Sequence, residues 1–229
     1  MKKIIHSKFD KHEISKLPIE AFEGEIEVVT TPEEAAAAVD YLMKQTILGV
    51  DTETRPSFKK GQVNKVALLQ VSSKDKCYLF RLNLLGITPE IKYLLEESKI
   101  KKIGLSLVDD IHALGKRLDF KPAGYIDIQS IIGGIGIEDM SLQKIYANLF
   151  GGKISKGKQL SNWEADHLTE GQRRYAATDA WSCIKIYEEY LRLKETHDYE
   201  LVVVPEPVAE PVAEPVLETA GEVHAGAEK

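Results

Sequence analysis

The sequence predicts an α/β fold in which helices flank a mixed central β-sheet. Short apolar segments, typical of buried strands, alternate along the chain with longer segments that have the hydrophobic periodicity of helices. Two neighbouring strand segments are separated only by a polar turn at residues 72–76, which indicates an antiparallel hairpin within the sheet. With 229 residues, of which 43% are hydrophobic, the chain can bury one sizeable core.

The elements follow one another in a regular order. Strands are predicted at residues 26–29, 47–53, 66–71, 77–80, 102–105 and 125–128. Helices are predicted at residues 31–44, 89–97, 108–118, 142–149 and 170–193. The first helix has a clear start signal, because Thr31 stands at the N-cap, Pro32 follows it, and Glu34 lies three residues after the cap.

Composition divides the chain into three parts. We expect an N-terminal extension at residues 1–24, a folded domain at residues 25–195 and an acidic, proline-rich tail at residues 196–229. The tail carries eight acidic residues and one lysine, whereas the rest of the chain carries 29 basic and 28 acidic residues. Within the tail the pattern E-P-V-A repeats, a composition that does not form a core, so we expect the tail to be disordered.

Other features concern the protein's environment. No apolar run approaches the 18 to 20 or so residues of a membrane span, and residues 1–9 lack the apolar stretch of a secretory signal. The two cysteines, Cys77 and Cys183, form no CxxC pattern and have no metal-ligand spacing with a histidine. We therefore expect a cytoplasmic monomer without membrane contact.

A glycine- and lysine-rich loop at residues 152–158 matches the pattern GxxxxGK. However, Gln159 stands where a nucleotide-binding phosphate loop needs Ser or Thr for magnesium, and the preceding segment is predicted to be a helix. We therefore interpret the segment as a basic loop that either contacts a phosphate backbone or is simply solvated.

Acidic side chains occur where apolar residues would be expected. Asp51 and Glu53 lie two residues apart in a predicted strand, so both point to the same face of the sheet. Asp179 lies on the apolar stripe of the last helix, four residues after Tyr175. Residues 107–111 contain a further pair of acids.

The convergence of these acids would indicate a cation site. Two carboxylates about 4 Å apart repel by about 4 kcal/mol at an effective dielectric constant near 20, so a cluster of them needs protons or bound cations. Oxygen ligands without histidine or thiolate favour Mg²⁺ or Mn²⁺. Two such ions are suited to phosphoryl transfer, so phosphodiester hydrolysis is the predicted chemistry.

Three ordered motifs resemble those of the DEDD exonuclease superfamily, whose fold is ribonuclease H-like. They are Asp51-Thr52-Glu53, the segment at residues 103–110 and the segment at residues 175–179. Residues 65–70, 77–80 and 161–163 are also similar to the ribonuclease D and Werner-type branch. The resemblance covers residues 26–193. Another form of the superfamily has His five residues before the last Asp, but position 174 here is Arg, so the chain is similar to the tyrosine form, with Tyr175 four residues before Asp179.

The resemblance implies roles for particular residues. Two divalent ions, Mg²⁺ or Mn²⁺, would be held by Asp51, Glu53, Asp110 and Asp179. Tyr175 would orient the attacking water and, because the pKa of a free phenol is about 10, would not act as the base. We also expect substrate contacts from Thr52, Gln70 and Trp163 at the 3′-terminal nucleotide, and from Lys156, Lys158 and Arg174 at phosphates, although each of these residues also has an ordinary structural interpretation.

Helical periodicity distinguishes Asp110 from its neighbour Asp109. With Leu107 and Leu114 facing the core, Asp110 lies about 70° from the core axis, whereas Asp109 lies nearly opposite and faces solvent. Both the periodicity and the resemblance therefore favour Asp110 as the ligand.

The predicted function is 3′–5′ exonucleolytic hydrolysis of single-stranded DNA or RNA ends to nucleoside 5′-monophosphates. The 3′ polarity is implied by the resemblance. The alternative is a catalytically silent nucleic-acid-binding or adaptor protein of the same fold, in which the acidic tail would bind a protein partner.

Overall fold

The structure is a computed structural model that describes residues 2–57, 59, 61 and 64–205. Its strands are β1 (Lys3–His6), β2 (Glu25–Val29), β3 (Ile47–Thr54), β4 (Val66–Ser72), β5 (Lys76–Phe80), β6 (Lys101–Gly104), β7 (Tyr125–Asp127) and β8 (Tyr199–Val202). Its α-helices are α1 (Lys11–Ile14), α2 (Pro32–Leu42), α3 (Leu82–Leu85), α4 (Pro89–Glu96), α5 (Leu107–Gly115), α6 (Ile128–Ile131), α7 (Leu142–Phe150) and α8 (Glu170–Thr196), and a 3-10 helix spans Ile132–Ile135.

Six strands form the central sheet in the order β2-β5-β4-β3-β6-β7. Strand β4 pairs antiparallel with both β3 and β5, whereas the β2–β5, β3–β6 and β6–β7 pairs are parallel. The mixed sheet and the β4–β5 hairpin are therefore confirmed. The predicted capping box of α2 is also present, with Thr31 and Glu34 bonding each other's backbone N–H groups.

Helices cover both faces of this sheet. Helices α2, α4 and α5 bury their apolar residues against one face, together with Leu48 and Val50 of β3. Helix α8 packs against the other face, where Gly49 of β3 allows a close approach. A Cβ atom at Gly49 would lie 1.8 Å from the carbonyl oxygen of Ala180, so the side-chain hydrogen of glycine is what lets the helix backbone reach the strand.

The chain termini differ from the prediction. Thr196 still belongs to α8, and β8 pairs in parallel with β1, so the tail does not begin at residue 196 and the N-terminal extension contains a strand of the fold. Ile5 of β1 is fully buried. These strands have four residues each and are nearly 200 residues apart, which is why composition and local periodicity did not indicate them. The repeat segment, residues 206–229, lies outside the described residues.

Helix α5 also ends earlier than predicted, at Gly115. Leu118, the last residue of the predicted helix, therefore lies beyond α5 and is 37% exposed. Among the helices of the described residues, none is long and apolar enough to traverse a bilayer.

Candidate active site

Three of the predicted acids meet at one place. Asp51 and Glu53 project from β3, and Asp179 projects from α8, which packs directly on that strand. One carboxylate oxygen of each residue lies within 4.8 Å of the corresponding oxygens of the other two. The alternation of β3 and the close contact at Gly49 thus bring together acids that are more than 120 residues apart in sequence.

Asp110 lies beside this group but is not part of the 4.8 Å cluster. Its Oδ1 accepts a hydrogen bond of 2.5 Å from the hydroxyl of Thr52, the strand residue between the two acids of β3. Asp110 sits in the first turn of α5, whereas its neighbour Asp109 is exposed and accepts a hydrogen bond from the Ser106 hydroxyl at 3.1 Å. The orientation predicted for the two residues is therefore observed.

The start of α5 is fixed by a residue that sequence analysis missed. Asp127, at the end of β7, accepts hydrogen bonds from the backbone N–H groups of Ser106 at 3.1 Å and Leu107 at 2.8 Å. Ser106 has a φ of 63°, a backbone conformation uncommon for residues other than glycine. The carboxylate of Asp127 thus satisfies the helix N-terminus and sets the position of Asp110.

Burial and mutual repulsion strongly perturb the acids. Burial, followed by the charges of Asp179 and Asp110, raises the pKa of Glu53 to about 9. Burial raises the pKa of Asp179 to about 7, although Tyr175 and Lys156 oppose the shift. Burial likewise raises the pKa of Asp110 to about 6 and that of Asp51 well above its usual value.

Tyr175 lies against this group from one turn earlier in α8. Its hydroxyl donates a hydrogen bond to Asp179. Its ring packs on Trp163, with ring centroids 6.0 Å apart. Burial and the nearby carboxylates raise the pKa of the phenol far above its ordinary value. At neutral pH the phenol is therefore protonated, so it can donate and orient but cannot serve as a general base.

The acids line an open cleft of about 380 Å³. The opposite wall comes from the start of α7 and from the loop that follows α7. This loop includes part of the GxxxxGK segment, and its Lys156 lies near enough to lower the pKa of Asp179. The lining residues are Asp51, Thr52, Glu53, Leu105, Ser141, Leu142, Gln143, Ile154, Ser155, Lys156, Gln159, Tyr175, Asp179 and Cys183.

The predicted substrate contacts divide into two groups. Thr52 and Lys156 line the cleft. Gln70 and Trp163 are both fully buried, so their side chains are not accessible from the cleft. Arg174 donates to the backbone carbonyl of Phe22 at 2.9 Å and lines a different pocket. Exposed Lys158 is not among the residues that line the cleft.

Several cleft residues have no sequence signal. Gln143 lines the cleft and donates a 2.5 Å hydrogen bond to the carbonyl of Ile154, which ties α7 to the following loop. Ser141, Ser155 and Gln159 also contribute to this wall. These are common residue types in irregular or helix-end positions, and only the packing of α7 places them opposite β3. Cys183 does have a sequence signal, because it lies one turn after Asp179 on the apolar stripe of α8.

The donor set fits a divalent cation. The clustered donors are carboxylate oxygens, which suit hard cations such as Mg²⁺ or Mn²⁺. The raised pKa values of Asp51 and Glu53 show that the cluster resists holding its full negative charge without a positive partner. Asp51, Glu53 and Asp179 can hold a cation directly, with Asp110 adjacent.

A mixed sheet and its flanking helices place a carboxylate cluster and a tyrosine in one open cleft, an arrangement typical of cation-dependent hydrolytic sites. Comparison with known proteins identifies the family. The model of the 3′-5′ exonuclease family matches residues 26–194, so the chain belongs to this family. The chain is 33% identical over 156 residues to the bifunctional 3′-5′ exonuclease/ATP-dependent helicase WRN of Mus musculus. The match covers 66% of this chain and 11% of that protein.

Solved structures show the same fold. The Nibbler EXO domain of Aedes aegypti matches with a TM-score of 0.71 and 20% identity, over 79% of this chain and 95% of that one. Ribonuclease D of Trypanosoma brucei in complex with RNA U12 matches with a TM-score of 0.64 and 19% identity, over 83% of this chain and 76% of that one. The ribonuclease H-like fold is thereby confirmed.

Proposed function

We propose that this protein is a divalent-cation-dependent 3′–5′ exonuclease that hydrolyses single-stranded DNA or RNA ends to nucleoside 5′-monophosphates. The observation that supports the proposal best is the cluster of Asp51, Glu53 and Asp179 within 4.8 Å, in a chain of the 3′-5′ exonuclease family. Such a cluster is unfavourable without cations, so it has a function other than stability.

Each residue has a part in this proposal. Asp51, Glu53, Asp110 and Asp179 would hold two ions, Mg²⁺ or Mn²⁺, which supply Lewis-acid stabilisation of the charge that develops during phosphoryl transfer. Tyr175, protonated at neutral pH, orients the attacking water through its hydroxyl.

The far wall of the cleft would bind the substrate backbone. Lys156 lies on that wall and is exposed, so it can pair with the phosphate next to the scissile bond.

Thr52 of β3 donates its hydroxyl hydrogen bond to Asp110 and thereby fixes that carboxylate beside the cluster.

The substrate class is proposed from the cleft and from relatives. A cleft of about 380 Å³ is of the size that accommodates a small ligand, such as a terminal nucleotide, and is too small for a duplex. A structural neighbour, ribonuclease D, was solved with RNA. Residues 1–195 are nearly neutral, which favours contact with a short end over contact along a duplex.

The proposal is tested by nucleotide release. The full chain is incubated with 5′-labelled single-stranded DNA or RNA in Mg²⁺, Mn²⁺ or EDTA, and products are separated by length. We expect a ladder that shortens one nucleotide at a time from the 3′ end, with loss of activity in EDTA. Asp51→Asn is the matched control and should reduce the rate at least about a hundredfold. Intact substrate under every metal condition would instead support the catalytically silent alternative.

A further inference from the structure

The N-terminal segment at residues 15–22 pairs with the loop that forms the far wall of the cleft. The backbone N–H of Lys153 donates to the carbonyl of Pro18, and the N–H of Glu20 donates to the carbonyl of Lys153, both at 2.9 Å. The side chain of Lys153 donates to the carbonyl of Ser15 at 2.5 Å. The family model begins at residue 26, so this segment lies outside the matched domain.

The end of the same segment is anchored on α8. Phe22 is buried, its backbone N–H donates to the hydroxyl of Thr178 at 3.0 Å, and its carbonyl accepts a hydrogen bond from Arg174 at 2.9 Å. Thr178 directly precedes Asp179, one of the clustered acids. The segment therefore connects the helix that carries Asp179 to the loop on the other side of the cleft.

Glu20 joins the segment to two helices. Its carboxylate accepts a 2.5 Å hydrogen bond from the hydroxyl of Tyr146 on α7 and lies 3.4 Å from the Nζ of Lys185 on α8. That Nζ also donates to the Tyr146 hydroxyl at 2.8 Å and lies 4.6 Å and 4.7 Å from the ring centroids of Phe150 and Trp181. Since these rings confine Lys185, the Glu20 carboxylate has a partner at a fixed position.

Gly152 provides the space for this carboxylate. A Cβ atom at Gly152 would lie 2.2 Å from Oε1 of Glu20, and the three nearest atoms all belong to the Glu20 side chain. Gly152 is the first glycine of the GxxxxGK pattern. The glycine thus has a structural reason that is unrelated to nucleotide binding, because it lets Glu20 sit at the start of the loop.

The position of this loop determines the far wall of the cleft. Ile154, Ser155, Lys156 and Gln159 all belong to the loop and line the cleft. Ile154 is buried, and its carbonyl is held by Gln143 of α7. The start of the loop is therefore held from two sides, and Lys156 follows Lys153 by only three residues, a span of at most about 11 Å.

We propose that residues 15–22 are a positioning element of the cleft, in which Glu20 holds the start of the 152–159 loop and thereby places Lys156 against a phosphate of the nucleic-acid strand. Glu20 itself does not contact the substrate. The inference rests on the proposed function, in which Lys156 pairs with that phosphate. Displacement by about 1 Å, caused by a change far from the reacting atoms, can cost up to about a hundredfold in rate.

The test compares Glu20→Ala, Lys156→Ala and the double variant with wild type in the full chain. Steady-state kcat and KM for release of the 3′ nucleotide from a single-stranded oligonucleotide are measured in Mg²⁺ over a series of KCl concentrations, together with Tm. Lys156→Ala should raise KM about tenfold and reduce the slope of log KM against log [KCl] by about 0.7, as expected for one lost phosphate contact.

Glu20→Ala should raise KM by about three- to tenfold, with a smaller change in kcat and a reduced salt slope. Because both changes act on the same contact, the double variant should have the KM of Lys156→Ala alone. Glu23→Ala is the matched control, since Glu23 is an exposed acid just beyond the segment, and it should behave as wild type.

Gly152→Ala disturbs the same contact from the loop without removing a charge. Its Cβ would displace the Glu20 carboxylate, so KM should rise about threefold or more. In a Glu20→Ala background the displaced atoms are absent, so Gly152→Ala should have no further effect. Gly152→Ala alone decides the test if Glu20→Ala does not fold, and a wild-type KM would then overturn the inference.

The outcomes separate this inference from the proposed function. An inactive wild type, or a wild-type KM in Lys156→Ala, would overturn the proposed function or the role of Lys156 in it, and the inference with it. A raised KM in Lys156→Ala but not in folded Glu20→Ala would overturn the inference alone, and a lowered Tm in that variant would show that Glu20 contributes only to stability. Multiplicative effects in the double variant, or an equally raised KM in Glu23→Ala, would also overturn it.

Discussion

Asp109 and Asp110 are adjacent residues of the same type with different environments. Asp110 is partly buried and accepts the Thr52 hydroxyl, and its charge raises the pKa of Glu53. Asp109 is exposed and interacts with Ser106 and with the N-terminal end of α5. A negative charge at a helix N-terminus is worth about 0.3–1 kcal/mol, so the role available to Asp109 is local and small.

We therefore expect Asp110→Asn to abolish hydrolysis, because it removes a charge beside the carboxylate cluster. Asp109→Asn should change the rate by less than about threefold and stability by at most about 1 kcal/mol. The measurement is single-turnover release of the 3′ nucleotide at saturating Mg²⁺, with circular dichroism to confirm folding. An inactive Asp109→Asn together with an active Asp110→Asn would show that the roles of the two residues are reversed.

Single residues also show where sequence reasoning reached its limit. Asp51 and Glu53 could be paired in advance because strand side chains alternate. Gln70 and Trp163 stand within segments that resemble the ribonuclease D and Werner-type branch, yet both are fully buried in the structure. Motif membership gives no measure of accessibility, because accessibility depends on which elements pack over a residue.

Among the elements, α8 and β3 determine the geometry of the cluster. The strand carries Asp51 and Glu53, the helix carries Asp179, and the two backbones meet at Gly49. A Cβ atom there would lie 1.8 Å from a backbone carbonyl oxygen, and a backbone atom cannot move aside as a flexible side chain can. The position of Asp179 therefore depends on the absence of a side chain at residue 49.

We expect Gly49→Ala to lower the free energy of unfolding by about 1–3 kcal/mol, because it forces α8 away from β3. Activity should fall at least about tenfold even at temperatures where the protein is folded, since misplacement by 1 Å costs up to about a hundredfold. Gly115→Ala is the control: a Cβ atom there meets no atom within 4 Å, so stability should stay the same or rise by about 0.4–1 kcal/mol. Thermal melts and single-turnover rates measure both effects. Normal activity in a folded Gly49→Ala protein would contradict this account of the site.

The terminal strands are elements that the sequence did not predict. Strands β1 and β8 are four residues long and pair with each other in parallel. Leu201 of β8 lies where a side chain on Gly136 would stand, with its Cδ2 2.3 Å from the position of a Cβ. Segments of four residues are too short to show a clear hydrophobic periodicity. Parallel strands that are far apart in sequence are also not joined by a tight turn, so no turn residues indicate that they pair.

For the molecule as a whole, the cluster couples stability to pH. The pKa of Asp179 is raised to about 7 and that of Glu53 to about 9, above the usual values of 3.8 and 4.5. The folded protein therefore binds protons that the unfolded chain has released. Where the folded state binds more protons, stability falls as pH rises, and here the fall extends from about pH 4 to about pH 9.

We expect the Tm of the metal-free protein to decrease as pH rises through this range, by at least about 3 °C between pH 5 and pH 9. Glu53→Gln should reduce this decrease, and added Mg²⁺ or Mn²⁺ should reduce it too, because the cation stabilises the ionised cluster. Glu33→Gln, at an exposed position in the first turn of α2, should leave the decrease unchanged. Calorimetric melts in EDTA across the pH series provide the measurement. A Tm that rises with pH would contradict the raised pKa values.

The sequence by itself determined the alternation of strands and helices, the hairpin, the shared face of Asp51 and Glu53, and the outward orientation of Asp109. All of these depend on local periodicity, which is a property of neighbouring residues. Only the tertiary structure decided that Asp179 approaches β3 through Gly49, that Gln143 and Lys156 form the far wall of the cleft, and that the terminal strands pair. The reason is physical: these contacts join segments far apart in sequence, and they form because packing excludes water from both faces of the sheet, a constraint that acts on the folded chain as a whole.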